Sequence, residues 1–269
     1  MKNFRFLQDY LHYLFFAKTK FDIHSPFVYD YVTHVLEDER HFYAFDEISN
    51  LREQLLLTKK SVSITDLGAG GMANPLKHRS IGDIVREAAI PEKWGKLLFR
   101  TIHYFKPEIT IELGTSLGLG TLYISMANTA GNIYTIEGAG SLADIAMENF
   151  NNLRVGDPDC STGQVIQLIK GDFDERLPDL LHSLEKIDFV YFDGNHRYEP
   201  TMRYFEMCAE KSHDHTFFIF DDIRWSAEMY RAWKKIKSDS RISVTLDLYR
   251  WGIVFFRKGQ KKQDFLIYF

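Results

Sequence analysis

The chain has 269 residues, 45% of them hydrophobic and 26% charged, which are ordinary proportions for a globular protein with a sizeable core. Lys and Arg number 33 against 37 Asp and Glu, a net charge of −4 that argues against nucleic-acid binding as the main business of the molecule. Cys160 and Cys208 lack metal-ligand spacing and build no disulfide framework, and no apolar run reaches the roughly 18 residues of a membrane span, so a reducing, cytoplasmic setting without a membrane partner is expected.

The first sixty residues read as helices. Phe4, Leu7, Leu11, Leu14 and Phe15 recur at helical spacing. Asp9, His12 and Lys18 crowd the nearby apolar run at 13–17, which makes it a poor signal peptide. His24-Ser25-Pro26 breaks the pattern, and further helices are predicted over 27–36 and 46–57. A short strand at 61–67 runs into Asp66-Leu67-Gly68-Ala69-Gly70-Gly71, after which Lys77, His78 and Arg79 precede a helix over 81–89, stopped by Pro91. Residues 1–92 are therefore expected to form an N-terminal helical region and a candidate active-site lid.

From Glu92 onward strands alternate with helices, the signature of a mostly parallel sheet. Strands are predicted at 109–114, 133–137, 165–170, 187–193, 216–221, 242–249 and 253–257. Helices are predicted over 93–104, 118–127, 142–150, 200–210 and 227–237. So few residues join the last two strands that only an antiparallel hairpin fits. The predicted architecture is α/β, a doubly wound, mostly parallel seven-stranded sheet with an antiparallel C-terminal hairpin, in a domain of residues 93–269.

Open parallel sheets bind ligands beyond the carboxyl ends of their strands. There the chain places Glu112-Leu113-Gly114-Thr115-Ser116-Leu117-Gly118-Leu119-Gly120, Glu137-Gly138, Gly171-Asp172-Phe173, Asp193-Gly194-Asn195-His196 and Asp221-Asp222. Every end bears a carboxylate, and acids gathered on one rim need ligand donors or a cation to offset their repulsion. The glycine-rich turn lets backbone approach a ligand and opens a helix. Ser116 and Leu119 stand where a dinucleotide pattern needs glycine, which disfavours a nicotinamide-dependent oxidoreductase. Glu137 lies 25 residues after Glu112 at the end of the next strand, where a carboxylate can accept both hydroxyls of a ribose. The glycines after Asp66 make a rival turn, but the residues 20 to 25 positions on are helical and offer no strand-end acid. That segment is read as a loop near the active-site mouth, with Lys77 and Arg79 either meeting an anionic substrate or serving as plain surface charge.

With these residues the chain resembles the class I S-adenosylmethionine methyltransferases, in particular the metal-dependent O-methyltransferases such as catechol O-methyltransferase. Trp94-Gly95-Lys96-Leu97-Leu98 and Ile111-Glu112-Leu113-Gly114-Thr115 are similar to that family's leading helix and first motif, and the likeness extends over residues 93–258. It implies S-adenosylmethionine as cofactor. Glu112, Gly114, Thr115 and Ser116 would surround its methionine part, Glu137 with Gly138 its ribose, and Asp172 and Phe173 its adenine, with Asp193 completing the set. It also implies a divalent cation such as magnesium on Asp193, Asp221 and Asp222, a set of oxygen ligands suited to a hard ion. Mutually repelling acids without a metal are the alternative.

His196 stands where the catechol enzymes have lysine and some sugar O-methyltransferases have histidine. It is a candidate general base beside a structural reading, and Asp193 is the second candidate catalytic residue. Trp225, Trp251 and the aromatic N-terminal helices are candidate walls of an acceptor pocket. The resemblance implies in-line methyl transfer to a small hydroxylated acceptor. Rival readings are a metal-independent N- or RNA methyltransferase, disfavoured by the charge and by the missing Asn-Pro-Pro-Tyr motif, and a non-catalytic cofactor-binding module. The apolar stretches 4–16 and 265–269 suit a homodimer.

Overall fold

The computed structural model describes residues 2–64, 77–156 and 164–269. They fall into two compact units, Asp38–Ser183 and a second assembled from Met1–Glu37 with Leu184–Phe269. The chain opens with helices α1 (Lys2–Phe16), α2 (Pro26–Tyr31) and α3 (Tyr43–Leu57). Pro26 starts α2 at the first helical position, where a missing N–H costs no intrahelical bond. The helix expected over 27–36 is divided, since its last turn, Val32–Leu36, widens to π geometry.

In the unit Asp38–Ser183, β1 (Ser61–Ile64) and β2 (Lys77–Ser80) pair antiparallel, Val62 opposite Arg79. The basic stretch expected only to lead into a helix is thus itself a strand. It runs straight into α4 (Ile81–Ala88), where the Ser80 hydroxyl accepts from the Asp83 N–H and caps the first turn. Next come α5 (Glu92–Phe105), β3 (Ile109–Leu113), α6 (Leu119–Ala127), β4 (Asn132–Glu137), α7 (Gly140–Asn152), β5 (Ile166–Lys170) and α8 (Phe173–Ser183). Strands β3, β4 and β5 are parallel in that order, Glu112 opposite Thr135 and Glu137 opposite Lys170. The hairpin β1–β2 is tied to α7 by the Ser141 hydroxyl, which donates to the Ser63 carbonyl at 2.7 Å.

The other unit continues with β6 (Phe189–Phe192), α9 (Tyr198–Ala209), β7 (Phe217–Phe220), α10 (Ala227–Lys237), β8 (Val244–Asp247), β9 (Gly252–Phe255) and β10 (Gln263–Leu266). Every residue of β6, β7, β8 and β9 is buried; β6, β7 and β9 are apolar runs, and in β8 the buried Asp247 is paired with Arg224. The order is β10-β8-β9-β7-β6, with β6–β7 parallel and the β8–β9 hairpin antiparallel as expected. Counted with β3, β4 and β5 of the other unit, these make eight strands of mixed, mostly parallel pairing among the described residues, one more than expected. The addition is β10, which overlaps the apolar stretch 265–269 only at Phe265 and Leu266, pairs parallel with β8 and covers what would otherwise be an open edge. Tyr13 of α1 fastens this end by donating to the Ile267 carbonyl at 3.0 Å and accepting from the Phe269 N–H at 2.8 Å. Among the described residues no helix is long and apolar enough to cross a membrane.

Candidate active site

In the unit Asp38–Ser183 the ends of β3, β4 and β5 lie side by side. The Gly114 N–H donates to the Ile136 carbonyl and the Gly171 N–H to the Glu137 carbonyl, both at 3.0 Å. The turn after β3 needs left-handed backbone at Gly114, Ser116 and Gly118, with φ of 107°, 50° and 82°. At Gly118 a Cβ would also come within 2.5 Å of the Phe150 ring, so glycine is required twice over. The turn is held from below by Glu137. Its Oε2 accepts from the Ser116 N–H and its Oε1 from the Ala139 N–H, each at 2.8 Å, and the Gly138 N–H adds a third donor. Burial lifts the Glu137 carboxyl above its ordinary 4.5, and these three backbone donors pull it back. The Ser116 hydroxyl beside it is buried with no partner among the described residues. Asp172 caps α8 by accepting from the Asp174 N–H at 2.8 Å, and Phe173, half-buried, is the first residue of that helix. The sequence-predicted Gly114, Thr115, Ser116, Glu137, Gly138, Asp172 and Phe173 thus sit on three adjoining strand ends.

Glu112 stands apart from that rim. It is 1% exposed, and its Oε2 accepts from the Thr135 hydroxyl at 2.6 Å and from the Thr121 hydroxyl. Because Thr135 donates to Glu112, its oxygen is left to accept from Thr115, 2.5 Å away. Glu112 therefore supports the turn through Thr115. Burial pushes its carboxyl up to about 7, the charge of Glu137 adds to that, and the two hydroxyl donors oppose it. Below about pH 4.5 both the folded and the unfolded chain carry a protonated Glu112 and its contribution to stability is whole. It is lost as pH rises through 7, by about 3 kcal/mol. Glu112→Gln is expected to flatten this part of the melting-temperature profile between pH 4.5 and 7 and to raise stability above it. An unchanged profile would show that Glu112 is already ionised at pH 5.

In the unit built from both chain ends, Asp193 and His196 follow β6, and Asp221 and Asp222 follow β7. Asn195 and Asp222 both take left-handed backbone, at φ of 52°. His196 Nε2 is 4.0 Å from Asp193 Oδ1, too long for a hydrogen bond but within one charge field. Asp221 is completely buried. Its Oδ1 accepts from Arg250 Nε at 2.7 Å and from the Asp222 N–H at 2.6 Å, and its Oδ2 from Arg250 Nη2 at 2.8 Å and Tyr191 Oη at 3.3 Å. Asp222 Oδ1 lies 3.4 Å from the same Nη2. Burial raises the Asp222 carboxyl, the neighbouring Asp221 raises it further, and Arg250 and His196 lower it.

A carboxylate has about four acceptor positions, and Asp221 has four donors on it. Among the described residues no group of three or more His, Cys, Asp or Glu is placed to hold a metal ion. The trio Asp193, Asp221 and Asp222 expected to ligate magnesium does not fit a cation as arranged. Arg250 escaped sequence reasoning, since a lone arginine in a hairpin turn carries no spacing signal. Of the expected pocket walls, Trp251 is fully buried, edge-on to Tyr191 at 5.8 Å, whereas Trp225 is 69% exposed. Arg79 pairs with Glu87 on the surface. The glycine stretch 66–71 lies outside the described residues.

Residues 111–223, from β3 to just beyond β7, match a family described as a methyltransferase domain. An uncharacterized protein of Acanthamoeba polyphaga mimivirus is 31% identical, over 40% of this chain. The chain covers 58% of the length of that curated relative. Among solved structures, the SAH-bound methyltransferase of Podospora anserina superposes with a TM-score of 0.58 at 14% identity, over 88% of this chain and 98% of that one. The O-methyltransferase of Bacillus cereus in complex with SAH gives 0.55 at 17% identity, over 85% and 96%. At these identities the likeness is one of fold.

Proposed function

We propose that this chain, which carries a methyltransferase domain over residues 111–223, transfers the methyl group of S-adenosylmethionine to an oxygen of a small hydroxylated molecule. The observation that carries the reading is Glu137, a carboxylate set at the end of β4 and gripping the left-handed turn after β3 through Ser116. Its one remaining acceptor position suits a ribose hydroxyl. Gly114, Thr115 and Ser116 are assigned to the methionine part of the cofactor, with the unpartnered Ser116 hydroxyl as a donor to it. Asp172 and Phe173 are assigned to the adenine, and Glu112 to support of the turn. The fold likeness to an O-methyltransferase in complex with SAH supports the choice of cofactor and of oxygen as acceptor.

His196 is assigned as the base that takes the acceptor's hydroxyl proton, with Asp193 steadying the imidazolium that results. The oxygen forms its bond to the methyl carbon as the carbon–sulfur bond breaks, and the sulfonium leaves as a neutral thioether. A divalent cation would polarise the acceptor oxygen, but the donors on Asp221 leave no step to route through one. Residues 93–269 are assigned the transfer and 1–92 the cover of the acceptor site. A cytoplasmic setting and a homodimer belong to the same proposal.

The test follows labelled methyl from S-adenosylmethionine into a pool of small hydroxylated compounds. His196→Gln is expected to lower kcat at least about 100-fold with the KM for the cofactor unchanged. Equal turnover by wild type and variant would remove the histidine from the chemistry. A wild-type chain that binds cofactor and labels nothing would favour a non-catalytic module.

A further inference from the structure

We propose that Arg250 stands in for a divalent cation in this chain: its guanidinium is the permanent counter-charge of Asp221 and Asp222, and methyl transfer needs no added metal. The inference rests on the reading of the site given above. Its starting point is the geometry of Asp221, where Arg250 supplies two parallel N–H donors at 2.7 and 2.8 Å, one to each carboxylate oxygen. The main-chain N–H of Asp222 and the Tyr191 hydroxyl fill the remaining lone pairs. A magnesium ion demands carboxylate oxygens at about 2.0–2.1 Å. To take Asp221 it would have to displace a donor and then lie against a guanidinium that carries its own positive charge.

The arginine is also held in place from its backbone. The Ile223 N–H donates to the Arg250 carbonyl at 3.0 Å, and the Arg250 N–H donates to the Leu248 carbonyl at 2.9 Å. Both ends of the ion pair are thereby fixed, the acid after β7 and the base in the β8–β9 turn. The left-handed backbone of Asp222 carries the second carboxylate toward the same nitrogen, 3.4 Å away. A guanidinium does not lose its proton in a protein, so this charge is present at every working pH. The third nitrogen, Nη1, makes no hydrogen bond to the described residues, and the side chain is 30% exposed.

The deciding experiment titrates the full-length chain with MgCl2 and, separately, MnCl2, with and without S-adenosylhomocysteine, by calorimetry and by thermal unfolding. Wild type is expected to give no saturable heat and a Tm that millimolar metal does not move. Arg250→Met leaves two acids without a counter-charge, so its Tm is expected to climb with each tenfold step in MgCl2. Arg250→Lys, which keeps a charge, is expected to behave as wild type, and it decides the matter if the methionine variant does not fold. Saturable binding of either metal by wild type, abolished by Asp221→Asn, would overturn the proposal. So would an Arg250→Met protein as indifferent to metal as its parent. Failure of S-adenosylhomocysteine to bind would sink the reading of the cofactor site instead, and the metal arm would still be read on its own.

Discussion

Glu137→Ala is expected to weaken the binding of S-adenosylhomocysteine about 100-fold, measured by calorimetric titration of wild type and variant side by side. In the proposed complex the carboxylate has two tasks. It accepts from the N–H groups of Ser116, Gly138 and Ala139, which fixes the left-handed turn. It also offers its remaining capacity to the ribose. The one acceptor position left free by three backbone donors makes a charge-assisted hydrogen bond worth about 1.5–3 kcal/mol, and with the loosening of the turn the loss comes to about 3 kcal/mol, or roughly two orders of magnitude in Kd. Glu137→Gln retains one acceptor oxygen, but turns an amide donor against backbone donors, so a loss of about tenfold is expected. Neither change should alter the KM for the acceptor. An affinity left intact by the alanine variant would take Glu137 out of the cofactor site.

The second large effect falls on stability. Arg250→Met is expected to cost about 3–5 kcal/mol, because a fully buried Asp221 then loses its partner. Asp221→Asn is expected to cost less, about 1–2 kcal/mol, since the 30% exposed Arg250 can turn to water and the amide still accepts hydrogen bonds. The double variant should be less damaged than the sum of the two, as happens when one partner's absence is the other's penalty. Denaturant unfolding of the four proteins measures this cycle. Strictly additive losses would mean that the pair contributes no coupling, whatever its geometry.

The strand ends were legible because glycine and acid punctuate them: Gly114, Glu137, Gly171 and Asp193 each mark where an apolar run stops. Two strands, a buried acid and an ion pair were not. β2 is written in Lys77, His78 and Arg79, residues with little strand preference, and becomes a strand only by pairing with β1. β10 looks like an apolar tail until β8 offers it an edge. Glu112 reads as one more rim acid, yet the register that sets it opposite Thr135, and the turn of α6 that brings up Thr121, bury it. Arg250 and Asp221 lie 29 residues apart, with nothing in the spacing to announce the pair. Trp251 shows the limit of composition, since an aromatic count cannot separate a pocket wall from the core it joins. In each case what was hidden is a tertiary partner, and local pattern carries no information about partners.

The ends of β3, β4 and β5 are proposed to receive the adenosyl part of the methyl donor. The most direct measurement is a calorimetric titration of the wild-type chain with S-adenosylhomocysteine, run beside reduced nicotinamide adenine dinucleotide. Saturable one-to-one binding of the first and none of the second is expected. A flat S-adenosylhomocysteine titration, or equal binding of both, would contradict it.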